Sequence, residues 1–200
     1  FIGADAGQGV SNAVLTGNQN TAVGAQAGFL LQGVAEDNSL FGFGAGKAIT
    51  TGIQNTFIGS AAGDATANAS DNVAVGYDAL GANVGGQNNV AVGPRALRDA
   101  TVSSGNIYNT AVGSNAGRGT TSGTQNTYVG GASGLYTNTN NYTTFLGVNA
   151  GYGVSGSGLT GHFNTALGYE AGFKLITSAA SNTFVGTYAG YFNGTDSTAN

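Results

Sequence analysis

The sequence predicts an all-β fold, a parallel β-solenoid or β-roll of about eleven coils, each 17–21 residues long. Three observations predict it: a tandem motif, a composition that suits strands and turns rather than helices, and a pair of adjacent apolar residues at a fixed place in every copy. The motif is an Asn, usually Thr or Val, two apolar residues, Gly, two variable residues, Ala, then Gly or Leu. Asn20-Thr21-Ala22-Val23-Gly24-Ala25-Gln26-Ala27-Gly28 and Asn164-Thr165-Ala166-Leu167-Gly168-Tyr169-Glu170-Ala171-Gly172 are clear copies. Its central glycines are Gly3, Gly24, Gly42, Gly59, Gly76, Gly93, Gly113, Gly130, Gly147, Gly168 and Gly186, at spacings of 21, 18, 17, 17, 17, 20, 17, 17, 21 and 18. A unit this short cannot bury its own apolar face, so it is stable only against neighbouring copies.

Composition narrows the alternatives. Glycine supplies 37 of 200 residues but does not fall at every third position, which excludes collagen. Only 7% of residues are charged, too few for long surface helices laced by ion pairs. Thr, Ser and Asn take the place of charge and suit turns and strands. A net charge of −4 offers no basic stripe to nucleic acid, and no apolar run approaches the length of a membrane span. There is no cysteine, hence no disulfide or thiolate metal site. The chain begins at Phe1, inside a motif copy, and residues 1–200 read as one repeat array without an internal boundary, expected to be a segment of a longer fibrous chain.

The two residues before each motif glycine are Ala22-Val23, Leu40-Phe41, Phe57-Ile58, Ala74-Val75, Ala91-Val92, Ala111-Val112, Tyr128-Val129, Phe145-Leu146, Ala166-Leu167 and Phe184-Val185. Side chains alternate across a strand, so both faces of this strand require burial. The second member of each pair (Val23, Phe41, Ile58, Val75, Val92, Val112, Val129, Leu146, Leu167 and Val185) is assigned to the core. No helical segment is available to cover the other face, and further copies of the chain are the economical cover. In the second half of the coil, Ala65-Thr66-Ala67-Asn68-Ala69-Ser70 alternates small with polar residues, and Ala82 with Val84 and Ala100 with Val102 follow suit. A second short strand per coil is expected there, with the alanines and valines inward and glycine-rich corners between strands.

The opening Asn recurs as Asn20, Asn38, Asn55, Asn72, Asn89, Asn109, Asn126, Asn164 and Asn182, with Thr143 the one departure. In a stack, these amides are expected to form a structural ladder, each bonding its neighbours and the corner backbone. Ten steps of about 4.8 Å give a rod roughly 50 Å long.

These arrays resemble the head repeats of trimeric autotransporter adhesins, the YadA-like head, and are still more similar to the repeat regions of bacteriophage tail fibres. Residues Ile49 to Gly59 and Asn72 to Leu80 carry the likeness, which extends over nearly the whole chain. The resemblance implies a homotrimeric fibre of intertwined or packed β-rolls that attaches to a cell surface. On it, the partners are two further copies of the chain and a host cell-surface glycan or protein receptor, and the location is a virion tail fibre or, for an adhesin, the extracellular surface. Adhesin heads have shorter repeats, near fourteen residues, a difference that favours the phage-type variant.

Three long spacings place extra residues within Gln8–Gln19, Arg98–Tyr108 and Tyr152–Phe163, where loops should bulge outward. Tyr108, His162 and Phe163 are the aromatic candidates there for contact with surface glycans, against the plainer reading of loops with partly buried rings. The second residue after the glycine is often polar (Asp5, Gln26, Asp78, Arg95, Asn115, Asn149 and Glu170) and is placed on the outer surface, so that Asp78 and Arg95 can pair between coils.

Catalysis finds little footing. His162 is the only histidine, and the nine acidic residues are scattered, so no catalytic residue, metal ligand or cofactor site is assigned and the chain is read as a non-enzyme. Gly151-Tyr152-Gly153-Val154-Ser155-Gly156 fits a dinucleotide-binding pattern, but no strand–helix–strand context follows it. The sequons at Asn68, Asn141 and Asn193 are incidental matches in a bacterial or phage chain. Besides the adhesin, two rival functions stand. One is a monomeric solenoid that binds ice or another ordered surface through its Thr array (Thr21, Thr56, Thr110, Thr127, Thr165, Thr183); the other is a polysaccharide depolymerase, which requires a carboxylate cluster in one groove.

Overall fold

The computed structural model describes residues 1–9, 14–102 and 105–191. The strands are β1 (Thr21–Val23), β2 (Ser39–Phe41), β3 (Thr56–Ile58), β4 (Val73–Val75), β5 (Gly86–Gln87), β6 (Val90–Val92), β7 (Gly105–Asn106), β8 (Thr110–Val112), β9 (Thr127–Val129), β10 (Thr144–Leu146), β11 (Thr165–Leu167) and β12 (Thr183–Val185). All are parallel, and the described residues contain no helix. Ten form one sheet in the order β1-β2-β3-β4-β6-β8-β9-β10-β11-β12, and Ile2 bridges to Val23 to add one further copy at the N-terminal end. Each strand is the motif's three residues before glycine, paired with the same three of the next coil: Ala22 with Leu40, Leu40 with Phe57, Phe57 with Ala74. The chain is thus a parallel β-solenoid with one sheet running its length.

The interior column is the middle strand residue. Ala22, Leu40, Phe57, Ala74, Ala91, Ala111, Tyr128, Phe145 and Ala166 are fully buried, and Phe184 nearly so. This corrects the core assignment. Val23, Phe41, Ile58, Val75, Val92, Val112, Val129, Leu146, Leu167 and Val185 point the other way, and each is partly or largely exposed. The alternation of a strand allows only one of two adjacent residues to face inward, and the coil encloses the first.

Each strand ends at the motif glycine, whose φ lies between +123° and +137° in all eleven copies. A side chain cannot stand there for a second reason, because the coils are in contact at this corner. A Cβ on Gly24 would lie 2.5 Å from the Gly42 carbonyl oxygen, and one on Gly42 equally close to that of Gly59. The chain then turns into a tight corner, whose Ala27 N–H donates to the Gly24 carbonyl (3.2 Å) and Ala45 N–H to that of Gly42 (3.3 Å). The second residue after the glycine is left-handed in every copy, among them Gln26, Asp78 and Arg95, each at φ +58°.

Among the described residues a second strand forms only where β5 pairs with β7, with single bridges between Leu15 and Gly33 and between Thr137 and Leu159. Elsewhere the second half of the coil is turn and bend, held to the next coil by single backbone bonds such as Ala67 N–H to the Val84 carbonyl (3.1 Å). Its expected facing holds for Ala69 and Ala100, which are buried, and is otherwise corrected. Thr66 and Asn83 are buried, whereas Ala65, Ala67 and Ala82 are half-exposed and Val84 is exposed. Without a continuous ladder no two-residue alternation is imposed there.

Asparagines occupy the corner before nine of the ten strands of the large sheet and form three sets of bonds, one of them amide to amide, as from Asn38 Nδ2 to Asn20 Oδ1 (2.9 Å) and from Asn55 Nδ2 to Asn38 Oδ1 (3.0 Å). The Oδ1 of one accepts the backbone N–H of the next: Asn38 from Asn55 (3.1 Å), Asn55 from Asn72 (3.2 Å), Asn72 from Asn89 (3.0 Å), Asn109 from Asn126 (2.9 Å) and Asn164 from Asn182 (3.2 Å). The Nδ2 donates to the carbonyl three residues before the next ladder position: Asn20 to Ala35 (2.7 Å), Asn38 to Gly52 (2.8 Å), Asn55 to Ala69 (2.9 Å) and Asn126 to Asn140 (2.8 Å). Asparagine alone among short side chains places an acceptor and a donor on one carbon, whereas Asp lacks the donor and Thr lacks the reach. Thr143 N–H still donates to Asn126 Oδ1 (3.0 Å), but the Thr143 hydroxyl turns back to the Asn141 carbonyl (3.2 Å).

Candidate functional site

The face of the sheet that looks away from the interior carries two columns. One is the last strand residue, apolar in every coil: Phe41 is 40% exposed, Ile58 42%, Leu146 43% and Val185 65%. The other is the first strand residue, Thr or Ser in eight of ten strands and Val at Val73 and Val90. Beside them, the residue after the motif glycine adds exposed Phe43, Tyr77, Val148 and Tyr169. In-register pairing keeps these columns straight, so the face is a continuous apolar and hydroxyl-bearing strip. Nine steps from β1 to β12 make it about 43 Å long.

The charged groups of the middle coils line a different stretch of the coil, beyond the turn. Arg98 Nε lies 2.6 Å from Asp78 Oδ2, Arg98 Nη1 3.2 Å from Asp99, and Arg118 Nε 3.6 Å from the other Asp99 oxygen. Asp78 and its hydrogen bond hold the Arg98 guanidinium above its ordinary range, with Asp99 adding to the effect. Arg95, the partner expected for Asp78, instead sits over the Tyr77 ring at 5.5 Å. The left-handed turn sends the residue two after the glycine outward, and Arg98, three residues later, is the cation that meets Asp78. Asp64 lies one coil below, and its carboxyl is pushed above the usual range by burial and then by the Asp78 charge.

Of the three aromatic candidates, Tyr108 and Phe163 share one slot, the exposed left-handed residue immediately before the ladder position (φ +55° and +61°). They lie three coils apart, roughly 14 Å along the axis. Of the two slots between, Gln125 fills one and Tyr142 the other, and Tyr142 stacks on Phe163, with ring centres 5.1 Å apart and planes 4° from parallel. His162 sits beside Phe163, its ring edge-on at 6.2 Å, and its Nδ1 accepts the Asn141 backbone N–H at 3.0 Å. That bond assigns the imidazole proton to Nε2 and makes the ring a brace between coils. The structure therefore brings His162 and Phe163 together, joins Tyr142 to them, and leaves Tyr108 apart. The recurrence of an aromatic two residues before the strand was the available signal for Tyr142.

A second aromatic column runs along the C-terminal coils. Tyr152 stacks on Phe173 (4.8 Å, 14°), Phe173 on Tyr191 (5.0 Å, 19°), and Tyr136 stands nearly perpendicular to Tyr152 (5.3 Å, 81°). Tyr152, Phe173 and Tyr191 each fall five residues after a motif glycine, and Tyr136 six after, which is the pattern that reveals them.

Of the long spacings, residues 10–13 of the first and 103–104 of the second lie outside the described residues, as does the Asn193 sequon. The second also contributes Gly105 and Asn106 to strand β7, so it is not only an outward loop. Among the described residues, no group of three or more His, Asp or Glu side chains is placed to hold a metal ion, and no helix is long and apolar enough to cross a membrane. Compared with known proteins, the chain matches no family model, no curated protein and no solved structure.

Proposed function

We propose that the chain is a structural and attachment segment of a trimeric fibre, most closely of the bacteriophage tail-fibre kind, carrying receptor-binding regions to a host surface. The observation that carries this reading is the outer column from Val23 to Val185, which keeps an apolar residue in all ten strands although it lies outside the coil. A contiguous apolar strip of this length is unusual on a monomer and marks an interaction surface. Copies of the same chain suit it, because identical flat columns in one register can pack along their whole length. The number three rests on the resemblance to fibre and adhesin repeats. A stiff shaft of this kind works mechanically, and several such fibres turn weak surface contacts into avidity. A bacterial trimeric adhesin head is the neighbouring alternative, with the same shaft.

Light scattering on the chain tests the reading. The expected mass is three times 19.6 kDa. The paired substitution Ile58→Asp and Leu146→Asp should yield a monomer that keeps its β-rich circular dichroism. A wild-type chain that is monomeric and folded contradicts the proposal.

The hydroxyl column favours a second reading, a monomeric solenoid that binds ice or another ordered lattice. Val73 and Val90 interrupt that column, whereas the apolar column is unbroken, which ranks this reading below the first. Thermal hysteresis in a solution of the chain would establish it, and none would remove it.

A further inference from the structure

In the C-terminal half of the chain, Gly156 and Gly158 help to line an open groove of about 280 Å³. Its walls are Tyr136, Thr121, Asn138 and the loop glycines Gly156 and Gly158, with Gly119 also at its lining. We propose that this groove is a binding site for a neutral saccharide, one or two sugar units of a glycan chain. The proposal deepens the attachment reading, on which its biological sense rests.

Four features point to this ligand class. The first is the Tyr136 ring. Tyr152, Phe173 and Tyr191 spend their faces on one another, but Tyr136 stands at 81° to Tyr152. Tyr136 thus stands out of the face-to-face column, and the residue lines the groove. A tyrosine not stacked on its neighbour has a ring face for the C–H face of a pyranose. The second feature is the polar pair beside it. The Thr121 hydroxyl donates to Asn138 Oδ1, which leaves the hydroxyl oxygen as an acceptor and directs the Asn138 amide N–H pair away from it. A donor and an acceptor side by side match neighbouring sugar hydroxyls, each of which both gives and accepts.

The third feature is neutrality. None of the lining residues is a carboxylate or a cation, so a charged ligand would be desolvated without a partner. The fourth is that the groove is built, not an accident of a loose loop. Gly153 N–H donates to the Phe173 carbonyl (2.9 Å), Leu159 N–H to that of Tyr136 (3.0 Å) and Asn138 N–H to that of Leu159 (2.9 Å). Gly158 passes so close that a Cβ there would lie 2.8 Å from the Asn138 Cβ. The volume is at the lower end of small-molecule sites, which suits a sugar and not a folded partner. The groove lies beyond the turn, away from the strand columns, so it stays open when those columns are covered.

The test is titration of the chain with maltotriose, chitotriose and mannotriose, with sialyllactose as the charged comparison, read by saturation-transfer NMR. At least one neutral trisaccharide should bind, and Tyr136→Leu should weaken that binding tenfold or more. Tyr136→Phe should retain it, Asn138→Ala should weaken it severalfold, and Phe163→Leu should leave it unchanged. Circular dichroism and thermal midpoint of each variant establish that the fold is kept. The proposal is overturned if none of the three neutral sugars binds, if sialyllactose is preferred, or if Tyr136→Leu binds as well as the parent in a folded state. Mass by light scattering separates the two readings: a trimer that binds no sugar removes the groove alone, and a monomer that binds through Tyr136 removes the shaft alone.

Discussion

The coil that carries Phe57 and the one after it, which carries Ala74, are each 17 residues long, yet they fill their interiors from opposite sides. In the first, the strand supplies the bulk and the residue four after the motif glycine is Gly63, where a Cβ would lie 2.4 Å from the Phe57 ring. In the second, the strand supplies only a methyl group and the same slot holds Leu80, buried and left-handed at φ +52°. Ala91 with Leu97 repeats the second solution, and Tyr128 with Gly134 and Phe145 with Gly151 repeat the first. In these coils interior volume comes from either position, and where both are small, as in the Ala22 and Ala166 coils, buried Leu31 and Leu175 lie seven residues after the glycine. Leu80 and Leu97 accept a strained backbone for the sake of that volume.

The largest expected effect comes from emptying the first kind of coil. Phe57→Ala should cost about 3–5 kcal/mol in chemical denaturation, the range for emptying a fully buried aromatic site. Adding Gly63→Leu to that variant should recover about 1–2 kcal/mol, whereas Gly63→Leu in the parent should destabilise by clash; a double-mutant cycle reads the coupling. Additive effects would mean that the two positions do not share one volume.

Next in size is a feature that the two coils hold in common. Asn55→Ala leaves the Asn72 N–H and the Ala69 carbonyl without their partners and should cost about 3 kcal/mol. Asn72→Ala strips the Asn89 N–H likewise, but the Gly86 carbonyl keeps the Asn83 amide, so it should cost less, about 2 kcal/mol. Equal costs in equilibrium unfolding would show that the carbonyl bond contributes nothing.

A smaller gain is expected seven residues after the glycine. Asn83 there is satisfied by Gly86, its Nδ2 reaching the carbonyl at 2.9 Å and its Oδ1 accepting the N–H at 3.0 Å. The equivalent Thr66 hydroxyl is buried without a hydrogen-bond partner. Thr66→Val keeps the shape and should stabilise the chain by about 1 kcal/mol, seen as a rise in thermal midpoint.

The smallest effect is electrostatic and distinguishes Asp64 from Gly81 in the same slot. The folded state holds the Asp64 carboxyl above its ordinary range, so it favours the protonated form. Its contribution is therefore greatest below about pH 4, the unfolded value, and is lost as pH rises through the raised folded value. Asp64→Asn should flatten the stability profile just above pH 4 and leave it unchanged below. An unaltered profile would mean that solvent already screens the site.

Much of this architecture is legible in the sequence. The coil count, the parallel sheet and the position of the asparagines follow from one slot repeating at a nearly fixed spacing, because only identical neighbours make identical bonds. Which of two adjacent apolar residues faces inward was not legible from alternation, which fixes their opposition but not its sense. Leu at the motif's last position, beside Ala74 and Ala91, is a partial signal, since the Ala22, Ala111 and Ala166 copies carry Gly there. The Asp78 partner was misread because register alone places Arg95 beside it, while the left-handed turn redirects the side chains. Tyr136 was missed because one residue of phase separates it from Tyr152, and that offset is what turns its ring.

The asparagine ladder has one further consequence. Each amide answers only to the coil directly above and below, so no bond in the molecule depends on how many coils there are. Duplicating or excising a 17-residue unit changes the reach of the rod by about 4.8 Å and alters no pairing elsewhere. The molecule is in that sense a ruler whose graduations are set by Asn, and its length can be adjusted by recombination between copies without a new folding problem at any step.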